Sequence, residues 1–231
     1  MGEWPHPATG GGRAVVVLDV NETLSDMAPL GRRFADLGLD PALARAWFAG
    51  VLRDGFALTA AGGDARFAAI AEAELRRLLD AAAPGHDAGA AVAHVLGGFA
   101  TLGVHPDVPG GIAALADAGH RVVTLSNGAA AVAERLLAEA GVRDRVEACL
   151  SVEAAGAWKP ARAAYLHAAR ACGVAPGDMT MVAVHPWDID GAVRAGLRTV
   201  WISRDGAAYP PHFRPPGRTA RGLDALAPLE S

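Results

Sequence analysis

Five kinds of polar side chain in this sequence stand where an active site could be assembled. Asp19, with Asn21 and Thr23 just beyond it, ends the apolar run at residues 14–18, and Ser126-Asn127-Gly128 ends the run at 121–125. Lys159 stands in a short loop before Pro160, and His185, Pro186, Trp187 and Asp188 end the run at 180–184. Each has a plain alternative reading: an Asp after a strand forms turns, Ser-Asn-Gly caps helices, and a Lys before Pro is solvated. Ligands of open parallel sheets bind outside the carboxyl ends of the strands, so these groups would converge on one rim. A carboxylate, a hydroxyl, an amide, an ammonium and a second carboxylate in that order are not expected of five unrelated turns.

The elements that must position them follow from periodicity. Residues 14–18 are continuous, apolar and β-branched, which reads as a strand buried on both faces. From 27 to 99 the pattern is helical, with Gly or Pro breaks at 38–41, 62–63 and 84–85. Helices at 112–118, 130–140, 161–172 and 188–195 then alternate with strands at 121–125, 146–150, 180–184 and 199–202. That alternation predicts an α/β core with a parallel sheet covered on both faces. The expected division is a flexible lead-in at 1–12, a core from 13–26 and 100–231, and a helical insertion at 27–99. Residues 206–216, rich in Gly and Pro, are expected to be irregular.

Composition narrows the class. The chain has 231 residues, 52% of them hydrophobic and 20% charged, enough apolar material for a sizeable core. No apolar run approaches the roughly 20 residues that cross a bilayer, and the N-terminus lacks a secretory pattern. Net charge is −4 with scattered basic residues, so neither nucleic acid nor an anionic membrane is expected as a partner. Cys149 and Cys172 lack metal-site or redox spacing, which points to apolar packing in a reducing, cytoplasmic setting.

Leu18-Asp19-Val20-Asn21-Glu22-Thr23-Leu24, Leu125-Ser126-Asn127-Gly128, Lys159-Pro160, and Trp187-Asp188 before Gly191-Ala192 resemble the four motifs of the haloacid dehalogenase superfamily. The resemblance runs from about residue 13 to 205. It implies a Rossmann-like core, with the helical insertion as a cap. Most of that superfamily are magnesium-dependent phosphatases with a second Asp two residues after the nucleophile; here Asn21 stands there, and it exchanges no proton usefully. The fourth motif of those phosphatases supplies an acid four residues before the second carboxylate; here that position is Val184. Magnesium needs oxygen ligands, so no metal and no cofactor are expected.

The same departures are similar to the type II 2-haloacid dehalogenase branch, which uses no metal, and Tyr165 after Lys159-Pro160 matches it too. From the residues alone, Tyr165 is equally a tyrosine packed on the sheet. The resemblance implies Asp19 as nucleophile toward a small-molecule carboxylate substrate, Lys159 holding it ionised, Thr23 positioning it, and Asp188 orienting Lys159 and water. Ser126 and Asn127 would bind the substrate carboxylate through backbone N–H groups at a helix N-terminus. Asn21, Tyr165, Phe48 and Trp187 complete the expected substrate site, and a homodimer is allowed.

Three positions depart from that branch. Phe48, after Trp47, stands where the family presents an Arg to the leaving halide; Arg45 and Arg53 are the nearby substitutes, and neither is expected to share the direction of position 48. Ala183 and His185 stand where a Ser and an Asn are usual. His185 reads either as a general base on water or as a histidine that bonds Asp188 or caps a helix. A magnesium phosphatase of a small metabolite and a catalytically degenerate binding protein are the alternative functions.

Overall fold

The computed structural model describes residues 14–82 and 87–227. The expected lead-in at 1–12 and the break at Pro84-Gly85 lie outside the described residues. Six strands form one wholly parallel sheet: β1 (Val15–Leu18), β2 (Arg121–Ser126), β3 (Ala148–Ser151), β4 (Met179–Ala183), β5 (Arg198–Ile202) and β6 (Arg218–Ala220), in the order β3-β2-β1-β4-β5-β6. The order reverses between β1 and β4, which opens a crevice at their carboxyl ends. Leu18 pairs with Thr124 on one side and Val182 on the other. The residues after these strands therefore emerge side by side.

Strand β1 is apolar throughout because both its faces are covered. Val15 and Val17 point into one apolar cluster, Val16 and Leu18 into the other. Helices α5 (Val108–Asp117) and α6 (Ala130–Glu139) cover one face through Ile112, Leu115, Leu136 and Leu137. Helices α7 (Arg162–Cys172) and α8 (Pro186–Ala195) cover the other through Ala164, Ala168, Ile189 and Ala192. The chain is thus an α/β Rossmann-like protein, as the alternation predicts. Cys149 and Cys172 are free thiols, half-buried and buried respectively. Among the described residues no helix is long and apolar enough to cross a membrane.

Between β1 and α5 the chain makes four helices: α1 (Leu30–Ala35), α2 (Leu43–Ala60), α3 (Phe67–Ala82) and α4 (Ala88–Ala100). They pack on one another through Trp47, whose indole N–H donates to the Ala71 carbonyl at 2.9 Å, and through Phe99 against Trp47 and Phe67. Their apolar faces join the cluster on the α7–α8 side of the sheet. The insertion leaves and rejoins the core through a short antiparallel contact, a bridge between Ser25 and Val104 with Asp26 N–H donating to the Gly103 carbonyl at 2.9 Å.

Two boundaries differ from the sequence reading for local reasons. Helix α5 begins at Val108 rather than 112 and α8 at Pro186 rather than 188, because Pro109 and Pro186 occupy first-turn positions where a missing N–H costs nothing. Strand β6 follows the irregular stretch and adds an edge strand that three residues of mixed polarity did not announce.

Gly191 in α8 sets how closely α7 approaches: a Cβ there would lie 2.6 Å from the Tyr165 hydroxyl and 2.8 Å from the Pro160 carbonyl. Gly191→Ala is expected to destabilise the protein by about 1–3 kcal/mol, the usual cost of overpacking. Denaturant unfolding checks this; unchanged stability would mean that the two helices are free to separate.

Candidate active site

The carboxyl ends of β1, β3 and β4 meet at one buried ammonium. Lys159 Nζ donates to Asp19 Oδ1 at 2.8 Å and to Asp188 Oδ2 at 2.7 Å, and its side chain is wholly buried. Thr23 closes the next side: its hydroxyl donates to Asp19 Oδ2 at 2.6 Å and accepts the Val184 N–H at 3.1 Å. The Asp19 N–H donates to the Val182 carbonyl at 3.0 Å, which locks the nucleophile candidate to the end of β4.

Burial and charge pull these groups in opposite directions. Burial pushes Asp19 upward, but attraction to Lys159, with His185 adding to it, holds its carboxyl well below the usual range. Burial pushes the Lys159 ammonium down, and Asp188 and Asp19 together outweigh that, so its pKa is raised. Asp188 is pushed up by burial and by repulsion from Asp19, against Lys159. At neutral pH this leaves Asp19 and Lys159 ionised.

A second pair stands beside the first. His185 Nε2 lies 2.8 Å from Glu22 Oε2, and His185 Nδ1 lies 3.3 Å from Asp19 Oδ2, off the line of a hydrogen bond. Burial lowers the pKa of the imidazole, but the two flanking carboxylates prevail and push it up to about 9. Glu22 reaches His185 from a backbone at φ 62°, a left-handed conformation uncommon outside glycine. A strained residue of this kind persists only where its surroundings over-determine it, and such residues cluster at functional sites.

The insertion walls the site with aromatic rings. Phe48 is buried, with its centroid 6.5 Å from that of His185 and 6.4 Å from Phe67. Phe67 stacks on Trp158 at 5.8 Å. Trp187 stacks on His185 at 4.8 Å and meets the Phe56 ring of α2 at 4.9 Å. Beyond His185, a cavity of about 720 Å³ is lined by Glu22, Arg45, Phe48, His105, Val184 and His185, among others.

The expected site residues are brought together, but several do different work. Tyr165 does not face the cavity: its hydroxyl donates to Asp188 Oδ1 at 2.7 Å and lies 3.0 Å from the Asp188 carbonyl, so it positions that carboxylate from behind. The Asn127 side chain clamps the Lys159 backbone, accepting its N–H at 2.9 Å and donating to its carbonyl at 3.3 Å. Ser126 Oγ accepts the Gly128 N–H at 2.9 Å, and α6 begins only at Ala130, so Ser126 and Asn127 precede the helix rather than form its first turn. Asn21 is buried in the turn between Asp19 and Thr23. Arg45 lines the same cavity as Phe48, contrary to the direction expected of it, because residues three apart on a helix are neighbours. Arg53 is taken up by Asp54 and Glu74. His185 bonds Glu22 rather than Asp188.

Sequence reasoning missed Glu22 and His105. Glu22 lies inside the first motif, yet nothing in its type announces a left-handed backbone or a partner on β4–α8. Among the described residues no cluster of three or more His, Cys, Asp or Glu is arranged to hold a metal ion. Both oxygens of Asp188 are already engaged, and Val184 offers no donor in their place.

Haloacid dehalogenase-like hydrolases match residues 14–196 of the chain. Haloacetate dehalogenase H-2 of Moraxella sp. (strain B) is 33% identical over 124 residues, 54% of this chain and 55% of that protein. (S)-2-haloacid dehalogenase 4A of Burkholderia cepacia is 32% identical over 136 residues, 58% of each. These matches span little more than half the length of those relatives. A crystal structure of a dehalogenase superposes with a TM-score of 0.87 at 26% identity, covering 96% of this chain and 98% of its own.

The raised imidazole has a consequence for stability. The folded protein holds the His185 proton up to about pH 9, whereas an unfolded histidine releases it near 6.5. The contribution is therefore present in full below pH 6.5 and lost as pH rises through about 9. Melting curves across that window should show a fall in Tm that His185→Gln flattens; parallel curves for the two proteins would contradict the assignment.

Proposed function

The chain belongs to the haloacid dehalogenase-like hydrolase family, and from that premise we propose that it hydrolyses small 2-haloalkanoic acids to 2-hydroxy acids through an ester on Asp19. The observation that carries this reading is the row Glu22–His185–Asp19 beside Asp19–Lys159–Asp188: one set of groups suits attack by Asp19, the other suits release of what it captures.

In the first step a carboxylate oxygen of Asp19 attacks C2 of the haloacid. The carbon–halogen bond breaks, the halide leaves with the bonding pair, and C2 inverts. Lys159 keeps Asp19 ionised and Thr23 fixes the plane of its carboxylate. The substrate carboxylate is assigned to the Ser126-Asn127-Gly128 turn, which lies next to the Phe67 ring of the insertion. The leaving halide is assigned to the aromatic wall of Phe48 and Phe67, with Arg45, one turn from Phe48 and lining the same cavity, as the nearby positive charge. Helices α1–α4 act as the cap that excludes bulk water.

The second step is set up by the first. Esterification cancels the charge on Asp19, one of the two carboxylates that raise the His185 pKa. The imidazole then gives up its proton to the cavity, while Nε2–H continues to donate to Glu22. The Nδ1 lone pair, facing Asp19, takes a proton from water as that water attacks the ester carbonyl. Collapse of the tetrahedral adduct expels the 2-hydroxy acid oxygen, which accepts the proton from His185; the proton left on the Asp19 carboxyl then passes to the facing Nδ1, so that Asp19 returns as a carboxylate and His185 as an imidazolium.

Halide release from chloroacetate is expected to persist in EDTA and to vanish in Asp19→Ala. Glu22→Gln and His185→Gln should each release about one halide per site and then slow by about a hundredfold or more, the usual contribution of a positioned base. Intact mass would show the ester accumulating in both. Parent-like turnover by these variants would contradict the assignment of Glu22–His185 as the base, and phosphate ester hydrolysis abolished by EDTA would point to a phosphatase.

A further inference from the structure

We infer that His105 is a positioning residue for the hydrolytic half-reaction, holding Glu22 in the left-handed conformation from which its carboxylate reaches His185. The inference rests on the Glu22–His185 reading above and extends it to the segment where the helical insertion rejoins the core.

The backbone of Glu22 stands at φ 62°, where a β-carbon is crowded and an L-residue is disfavoured. Its carboxylate alone is a weak restraint, because a glutamate has freely rotating bonds between the backbone and the acid. Two further contacts act on the backbone itself. The Glu22 N–H donates to Ser25 Oγ at 3.2 Å, and the Glu22 carbonyl accepts from His105 Nε2 at 3.0 Å. Turning Glu22 back to an ordinary right-handed or extended conformation would reorient both groups and break both bonds.

His105 is itself rigidly placed. Its N–H donates to the Leu24 carbonyl at 2.9 Å, its carbonyl accepts the Val108 N–H at 3.1 Å, and the preceding residue makes the Ser25–Val104 bridge. Two residues on, Asp107 binds Arg204 at 2.6 Å, and Arg204 donates to the Thr23 carbonyl at 2.8 Å. The segment that returns from the insertion therefore grips the turn after Asp19 at both ends. The imidazole holds the peptide after Glu22, and the Asp107–Arg204 pair holds the peptide after Thr23, the residue whose hydroxyl binds Asp19. A chain segment that leaves the insertion is thereby linked to the geometry of the base.

His105 acts through Glu22, so its loss should fall on one half-reaction. With chloroacetate, His105→Ala is expected to keep the fast release of one halide per site. Its steady rate should fall about tenfold, with the ester on Asp19 accumulating by intact mass, as expected when a general base is misplaced rather than removed. His105→Gln, whose amide nitrogen reaches about as far as Nε2, should restore turnover to within about threefold while leaving Tm close to that of the parent. Turnover by His105→Ala at the parent rate would overturn the inference. So would equal loss of the burst and the steady rate in both variants, since that is the signature of a merely structural role. Glu22→Gln run alongside separates the two readings. If it accumulates ester and the His105 variants do not, His105 alone is misassigned; if it accumulates none, the Glu22–His185 reading itself has failed.

Discussion

The buried ammonium of Lys159 is the constraint on which the rest of the structure depends. An ion taken out of water costs several kcal/mol, and the cost is met only by partners held in good geometry. Asp19 supplies one partner from the end of β1 and Asp188 another from the first turn of α8. Tyr165 fixes Asp188, Asn127 fixes the Lys159 backbone, and Thr23 fixes Asp19. Removing one partner of such a cluster typically costs about 3–5 kcal/mol, because a charge is left alone in an apolar surround. The sheet order serves the same contact: β4 lies beside β1, so the carboxylates that follow these two strands meet at one lysine.

That cluster keeps a nucleophile ionised but provides no means of releasing what it captures. In the proposed reaction the Glu22–His185 pair supplies that means, and its logic is electrostatic. While Asp19 is charged, the imidazole sits between two carboxylates and holds its proton. In the proposed reaction, esterification of Asp19 removes one of those charges and frees the ring to act as a base. The cavity beyond His185 is lined by Arg45 and Phe48 from the insertion and by Val184 and His185 from the core.

The fold was legible because its signals are local. A continuous β-branched run marked β1, alternation of short apolar runs with helices marked β2, β4 and β5, and the Gly and Pro breaks marked the ends of helices in the insertion. Strand β6 was not legible, because Arg218–Ala220 is defined by pairing with β5 rather than by any pattern of its own. The acid, the lysine and the second acid could be read from their places after strands. What they touch could not. The Tyr165 hydroxyl turned inward to Asp188, the Asn127 amide was spent on a neighbouring backbone, and Glu22 found a partner far along the chain through an uncommon φ. Each of these depends on a side-chain direction that only the packed structure supplies.

With Asp19 as the nucleophile, the oxygen delivered to the substrate comes from its carboxylate and not directly from water. A single turnover in ¹⁸O-labelled water, with enzyme in excess over chloroacetate, tests it most directly. The account predicts glycolate without the label and one ¹⁸O atom in the peptide that contains Asp19. Label in the glycolate after a single turnover, with Asp19 unlabelled, would contradict it.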